Sequence, residues 1–166
     1  MKTLERLRAE EFKGAKRLNI SCELASFPRE VFDLADSLEV LDLSNNRLSS
    51  LPDDLPRLHH LKALFLNNNQ FETVPEVLAR CPQLSMISFK SNRLTTLSET
   101  ALPRQTRWLI LTNNQLTTLP ASLGQLTGLQ KLMLAGNRLQ SLPDELSACL
   151  NLELIRIAAN QLPTLP

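Results

Sequence analysis

The sequence has few aromatic residues and few glycines. Its 166 residues include no tyrosine, one tryptophan, six phenylalanines and four glycines, and the glycines form neither a GxGxxG motif nor a phosphate-binding loop. A core so poor in aromatic side chains is atypical of a β-sandwich or a dinucleotide-binding domain. The protein-kinase signatures HRD, DFG and APE do not occur in it either. These absences disfavour the common globular folds and a kinase active site within this sequence.

Neither sign of charge dominates, and no long apolar run is present. The 18 basic and 17 acidic residues give a net charge of +1, so the chain as a whole is not attracted to nucleic acid or to an anionic membrane. No segment approaches the roughly 18 consecutive apolar residues of a membrane span, and the charged N-terminus lacks the apolar stretch of a secretory signal. We therefore expect a cytoplasmic chain without a membrane or nucleic-acid partner.

Residues that could catalyse a reaction or bind a metal are scarce and scattered. Cys22, Cys81 and Cys149 show no CxxC or Cys/His spacing, so they predict neither a complete disulfide framework nor a zinc site. His59 and His60 are neighbours without a matching nucleophile or ligand cluster, and we interpret them as a solvated pair. We expect no metal, no cofactor and no enzymatic activity, and a reducing compartment for the free thiols.

Leucine is the abundant residue, with 37 of the 166 positions, and it is arranged periodically. The pattern LxxLxLxxNxLxxLP begins at residues 15, 38, 61, 84, 106, 129 and 152, and the last copy is incomplete. In the second copy it is filled by Leu38, Leu41, Leu43, Asn46, Leu48, Leu51 and Pro52. This period and signature resemble the leucine-rich repeat family over nearly the whole chain.

Each repeat predicts one short strand and one short helical segment. The alternation in LxLxx is typical of a strand with one buried face, and the spacing after the Leu-Pro pair changes to that of a helical turn. Such a unit cannot bury its apolar face alone, so successive units must stack. We predict an α/β solenoid over residues 15–166, curved and right-handed, with short parallel strands on the concave side and short helical or 3-10 segments on the convex side.

The two ends of the chain differ in pattern. Residues 4–13 carry Leu4, Leu7 and Phe12 on a polar background and stop at Gly14, so we predict an amphipathic capping helix over residues 1–14. The seventh repeat stops at Pro166, before the leucines that complete the convex side of the earlier repeats. Because an uncapped turn exposes apolar edge, we expect the native polypeptide to continue.

An asparagine recurs where each strand ends and the chain bends inward. Its amide supplies both donors and acceptors for the bending backbone, so we interpret the set as a structural ladder. Cys22 takes this position in the first repeat, as a small buried hydrophobe. The fourth repeat has Ser98 in place of the proline and is one residue short, which predicts a local change on its convex side. The ladder consists of Asn46, Asn69, Asn92, Asn114, Asn137 and Asn160.

One apolar group falls on the outward face of the predicted strands. Side chains alternate along a strand, so the third and fifth residues of each repeat point away from the core. Contiguous exposed apolar surface with Trp and Met is typical of a protein- or peptide-binding site. Two alternatives stay open: an intramolecular segment that covers the group, or scattered hydrophobes with no role. The group, which we call the concave patch, is Phe65, Met86, Trp108, Ile110 and Met133.

A narrower resemblance rests on three runs: SCELASFPREVFDLADSLEVLDLSNNRLSSLPDDL, RWLILTNNQ and LQKLMLAGNRL. The repeats look like those of the Ras-suppressor and Shoc2-like group, and the runs resemble the N-terminal repeat region of bacterial leucine-rich repeat protein kinases. The resemblance implies a recognition module in a larger signalling protein, whose partner is another protein, a peptide or an intramolecular kinase domain. The alternative is a stand-alone or engineered scaffold without a partner.

Overall fold

The computed structural model describes residues 12–163, and this part of the chain contains seven three-residue strands. They are β1 Arg17–Asn19, β2 Val40–Asp42, β3 Ala63–Phe65, β4 Met86–Ser88, β5 Trp108–Ile110, β6 Lys131–Met133 and β7 Leu154–Arg156. The strands form one sheet in chain order, and every neighbouring pair is parallel. Stacked repeats with one parallel strand each form a solenoid, and the fold class predicted from the repeats is therefore confirmed.

The register of the sheet places equivalent residues of successive repeats side by side. Leu41 of β2 is the partner of Leu64 in β3, and Leu109 of β5 is the partner of Leu132 in β6. These central strand residues are fully buried. The residues on either side of them point to the opposite face of the sheet, which we call the concave face.

The convex side is built from 3-10 helices, as the spacing after each Leu-Pro pair predicts. Pro28, Pro75, Pro120 and Pro143 directly precede four of the helices and have extended backbone conformations. The described helices are Arg29–Leu34, Leu55–Arg57, Glu76–Arg80, Ala121–Gln125 and Asp144–Ala148.

The fourth repeat departs from this arrangement, as its missing proline predicts. Turns and bends follow β4, and no helix is assigned between β4 and β5 in the described chain. Thr106 stands in the place of the first leucine of the fifth repeat and is fully buried. Its hydroxyl donates to the carbonyl oxygen of Pro103 at 2.6 Å, which satisfies the buried group. The short repeat thus changes its convex side without breaking the sheet.

The core between the sheet and the convex side consists mainly of leucine. Phe71 and Phe89, from neighbouring repeats, pack edge to face with ring centroids 5.1 Å apart and are fully buried. Cys81 and Cys149 are free thiols buried on the convex side. The leucine excess of the sequence is therefore the solenoid interior.

The predicted capping helix, residues 1–14, lies almost entirely outside the described residues. Gly14 ends a short turn and has a φ of +80°, a conformation that suits glycine. At the other end, Leu152 and Ile155 are half-buried, whereas Leu129 and Leu132 at the same places one repeat earlier are fully buried. The edge formed by β7 is therefore apolar and partly open to solvent.

Candidate functional site

The ends of the strands are held by buried asparagine side chains. Asn114 Nδ2 donates to the carbonyl oxygens of Phe89 and Leu111, each at 3.0 Å, and Asn114 Oδ1 accepts the backbone N–H of Leu94 at 2.9 Å. The bond to Phe89 and the bond from Leu94 both join the fifth repeat to the fourth. Five of the six ladder residues are buried, and Asn160 is half-buried. The same bonding scheme recurs at Asn46, Asn69, Asn92, Asn137 and Asn160.

The first repeat lacks an asparagine at this place, but the asparagine of the next repeat bonds to it as in the rest of the ladder. The backbone N–H groups of Cys22 and Leu24 both donate to Asn46 Oδ1, at 3.1 and 3.0 Å. Cys22 itself is half-buried, which corrects the prediction of a buried residue. Its side chain packs against the core as a partly buried group.

The register of the sheet brings four of the five concave-patch residues together. Met86 of β4 is the direct partner of Trp108 in β5, and Ile110 of β5 is the direct partner of Met133 in β6. Adjacent strands are about 4.8 Å apart, so these four side chains form one cluster. Phe65 of β3 is paired instead with Ser88. It neighbours the cluster only diagonally across the sheet, next to Met86 of β4. A hydroxyl therefore interrupts the apolar row that contains Phe65.

All five residues of the concave patch are half-buried. The sequence predicts that they point into water, and this is only partly correct. Side chains on a concave face converge and shield one another, so each loses part of its exposure. Ala63 and Ser88, which occupy outward positions in β3 and β4, are buried for the same reason. The patch is thus a shallow apolar floor with limited solvent contact.

Trp108 lies at the centre of this floor and has an unusual environment. The Nζ atom of Lys131 lies 4.1 Å from the centroid of the indole ring, a cation–π contact between direct cross-strand partners. The Nε1 atom of Trp108 is buried, and no acceptor among residues 12–163 bonds to it. A buried donor without a partner destabilises a fold. The alternation of the sequence predicts that Trp108 points outward, but neither its contact with Lys131 nor its unpaired indole N–H can be predicted from the sequence.

Polar groups line the end of the floor where β3 and β4 finish. Asn67 Oδ1 accepts the hydroxyl of Ser88 and, at 3.2 Å, the backbone N–H of Lys90. At the opposite end of the strands, the Lys62 ammonium lies 3.2 Å from Glu39 Oε1 and lowers the pKa of that carboxyl. The alternation of side chains along a strand places Ser88 and Asn67 on the concave face, whereas Glu39 and Lys62 directly precede β2 and β3 and are not placed by it.

Comparison with known proteins agrees with this architecture. A family model described as leucine rich repeat matches residues 15–71, 36–94 and 104–162. The chain belongs to the leucine-rich repeat family. No curated protein sequence matched it.

Several solved leucine-rich repeat structures are similar to this chain. A Leptospira interrogans LRR protein has 28% sequence identity and a TM-score of 0.70, and the match covers 94% of this chain and 46% of that chain. The Toll–Spatzle complex of Drosophila matches at 28% identity and a TM-score of 0.76 over 90% of this chain and 21% of that one. The plant peptide hormone receptor RGFR1 in complex with RGF2 matches at 28% identity and a TM-score of 0.66 over 82% and 23%. This leucine-rich repeat chain spans less than half the length of each.

Two cavities of the leucine-rich repeat solenoid lie away from the concave patch. One, of about 460 Å³, is on the convex side beside the irregular fourth repeat, where Glu99 and Gln105 line it. The other, of about 580 Å³, is at the β7 edge and is lined mainly by apolar side chains such as Leu146 and Ile155. Within residues 12–163, no cluster of three His, Cys, Asp or Glu side chains suits a metal ion, and no helix is long and apolar enough to cross a membrane.

Proposed function

We propose that this leucine-rich repeat chain binds a protein or peptide on its concave patch and serves as the recognition module of a larger signalling protein. The observation that carries the proposal is the half-buried apolar cluster around Trp108, on a face that the described residues leave accessible. Trp and Met are enriched at interfaces, where a few large side chains supply most of the binding energy. The rigid sheet below holds the cluster in place, so little conformational entropy is lost on binding.

Two of the similar structures support an interaction role. One is a complex of Toll with Spatzle, and the other is a peptide hormone receptor in complex with RGF2. In both, a protein with this repeat architecture is seen together with a ligand. A solenoid that exposes a long concave surface is suited to such contacts.

We also propose that the larger protein is a bacterial kinase and that it works in the cytoplasm. The three runs quoted above support the first part, because they resemble the repeat region that precedes the catalytic domain in such kinases. The free thiols of Cys22, Cys81 and Cys149 support the second part, since disulfides are rare in a reducing compartment. Kinase signatures in the coding sequence downstream of Pro166 would support this assignment, and a stop codon there would contradict it.

The binding proposal is tested by affinity capture with three variants of the chain. The unmodified chain and Gln125→Ala, an exposed change on the convex side, should retain the same partner from an extract of the source cells. Trp108→Ala should lose it, with an affinity at least about 2 kcal/mol weaker, while circular dichroism shows an intact fold. Equal recovery by Trp108→Ala and the unmodified chain would refute a binding role of the patch.

A further inference from the structure

In repeats three to six, acidic residues are confined to one part of each repeat, whereas basic residues occur throughout it, and the net charge of the whole chain is only +1. Between the first residue of each of these repeats and its ladder asparagine there are four cations and no anion. All five anions of residues 61–151 come after the asparagine, on the way to the convex side or within it. The four cations are Lys62, Lys90, Arg107 and Lys131, and the five anions are Glu72, Glu76, Glu99, Asp144 and Glu145.

Within residues 12–163, three of the four cations have no carboxylate partner. Lys62 is paired with Glu39 at 3.2 Å, as described above. Among residues 12–163, no carboxylate oxygen lies within 4.0 Å of Lys90, Arg107 or Lys131. Lys90 and Arg107 are exposed, and Lys131 is half-buried over Trp108. These positive charges are therefore available to a ligand.

The three cations surround the apolar floor. Arg107 directly precedes β5, and its Nη2 donates to Gln130 Oε1 at 3.3 Å. Lys90 follows the other end of β4 by two residues, so the two cations are separated by roughly 16 Å along the strand direction, at about 3.3 Å per residue. Lys131 of β6 is level with Trp108, one residue from Arg107 along the strand direction. A ligand on the concave patch thus meets positive charge at both ends of the strands.

We propose that the ligand of the concave patch is an acidic peptide segment that carries apolar side chains next to its carboxylates. This inference rests on the proposed function and specifies its partner. The guanidinium of Arg107 offers paired donors to a carboxylate, and the ammonium of Lys90 offers a point charge. Between these two cations, the side chains of Met86, Ile110 and Met133 form an apolar surface. Complementary charge around an apolar centre increases the rate of association and excludes partners of the wrong sign.

The same cations do not favour a nucleic acid. Single-stranded nucleic acids are bound by grooves that combine many cations with several aromatic side chains, on which the bases stack. The concave patch has two aromatic side chains, Phe65 and Trp108. Phe65 is paired with Ser88 and is set apart from the cluster, and Lys131 already covers a face of the Trp108 ring. The remaining cluster residues are aliphatic or thioether side chains, which match apolar amino acids.

The proposal is tested by selection from a random peptide library displayed on phage, with the purified chain as bait and Trp108→Ala as the subtraction bait. Peptides enriched by the unmodified chain, and not by Trp108→Ala, should contain an excess of Asp and Glu together with Leu, Phe or Trp. A fluorescein-labelled copy of the most enriched peptide then serves as the probe for affinity measurements, with fluorescein-labelled oligothymidylate as the nucleic-acid probe.

Two double variants with the same change in net charge separate local from global electrostatics. Lys90→Gln/Arg107→Gln removes two concave cations, and we expect it to weaken binding of the acidic peptide by about tenfold. Arg80→Gln/Arg104→Gln removes two exposed cations of the convex side and should change the affinity by less than about twofold. Raising the salt concentration should weaken binding to the unmodified chain more than binding to the concave double variant.

The outcomes distinguish this inference from the function on which it rests. If no peptide is enriched in a Trp108-dependent manner, the proposed function and the acidic partner both fail. If Trp108-dependent peptides are enriched but are neutral or basic, the patch binds peptides and only the acidic partner fails. Equal effects of the two double variants on peptide affinity would also refute the acidic partner. Tighter binding of oligothymidylate than of the peptide would assign the face to nucleic acid instead.

Discussion

The ammonium group of Lys131 lies 4.1 Å from the centroid of the Trp108 ring, and the two residues are direct partners across β5 and β6. The long aliphatic stem of a lysine can cover an apolar neighbour while its charged end stays near solvent. This contact therefore places the positive charge of Lys131 over the centre of the apolar floor. Because Trp108 is the single tryptophan of the chain, its fluorescence reports on the concave face alone.

We predict that iodide quenches Trp108 fluorescence more efficiently than its half-buried position alone would allow. Lys131, and Arg107 next to Trp108 in the chain, attract the anion to the ring. Lys131→Gln should lower the Stern–Volmer constant for iodide and leave that for neutral acrylamide unchanged or slightly higher, because the ring loses part of its cover. A parallel fall for both quenchers would show that charge is not the cause.

Trp108→Phe is expected to preserve or increase stability, although it removes apolar area. The substitution eliminates the buried Nε1 donor, which has no acceptor among residues 12–163, and such a donor costs about 1–3 kcal/mol. We expect a change in the free energy of unfolding between zero and a gain of about 1 kcal/mol, measured by urea denaturation. A loss larger than about 1 kcal/mol would mean that the indole N–H is satisfied or that its packing dominates.

The sequence predicts the features that repeat, because each repeat imposes the same local requirement. The 23-residue period is sufficient to assign Leu41 and Leu64 to the core and Trp108 to the opposite face. It does not predict contacts between repeats that differ in sequence. The burial of Ser88, the ring contact of Lys131 and the separation of Phe65 from the cluster all depend on which side chains the register places side by side and on the curvature of the face.

Two asparagines of the ladder make the same hydrogen bonds but differ in burial. Asn114 and Asn160 make equivalent hydrogen bonds, but Asn114 is buried and Asn160 is half-buried. We expect Asn114→Ala to lower the free energy of unfolding by about 1–3 kcal/mol, because it leaves backbone groups unpaired without access to water. Asn160→Ala should cost less than half as much, since water can replace the amide.

Gln115→Ala is the control for this comparison, because Gln115 is exposed and adjoins Asn114. Its substitution should change stability by less than about 0.5 kcal/mol in the same urea titration. Equal costs for Asn114→Ala and Asn160→Ala would indicate that the asparagines act through strand geometry rather than through buried hydrogen bonds.

The convex side allows a test of how closely neighbouring repeats are stacked. Gly124 in the helix Ala121–Gln125 faces the helix Asp144–Ala148, and a Cβ at this position would lie 2.6 Å from the backbone oxygen of Glu145. Backbone cannot move aside as a flexible side chain can, so Gly124→Ala must separate the two helices. We expect it to lower the free energy of unfolding by about 1–3 kcal/mol.

Gly128→Ala is the matched control for Gly124→Ala, because no atom beyond its two chain neighbours lies within 4 Å of a Cβ at residue 128. It reduces the entropy of the unfolded chain without a clash, so its effect should lie between zero and a gain of about 1 kcal/mol. Thermal denaturation of both variants, with amide hydrogen exchange on the two helices, measures the difference. If both substitutions have the same effect, the sixth repeat is not packed against the fifth at this point and the spacing on the convex side is set by the sheet alone.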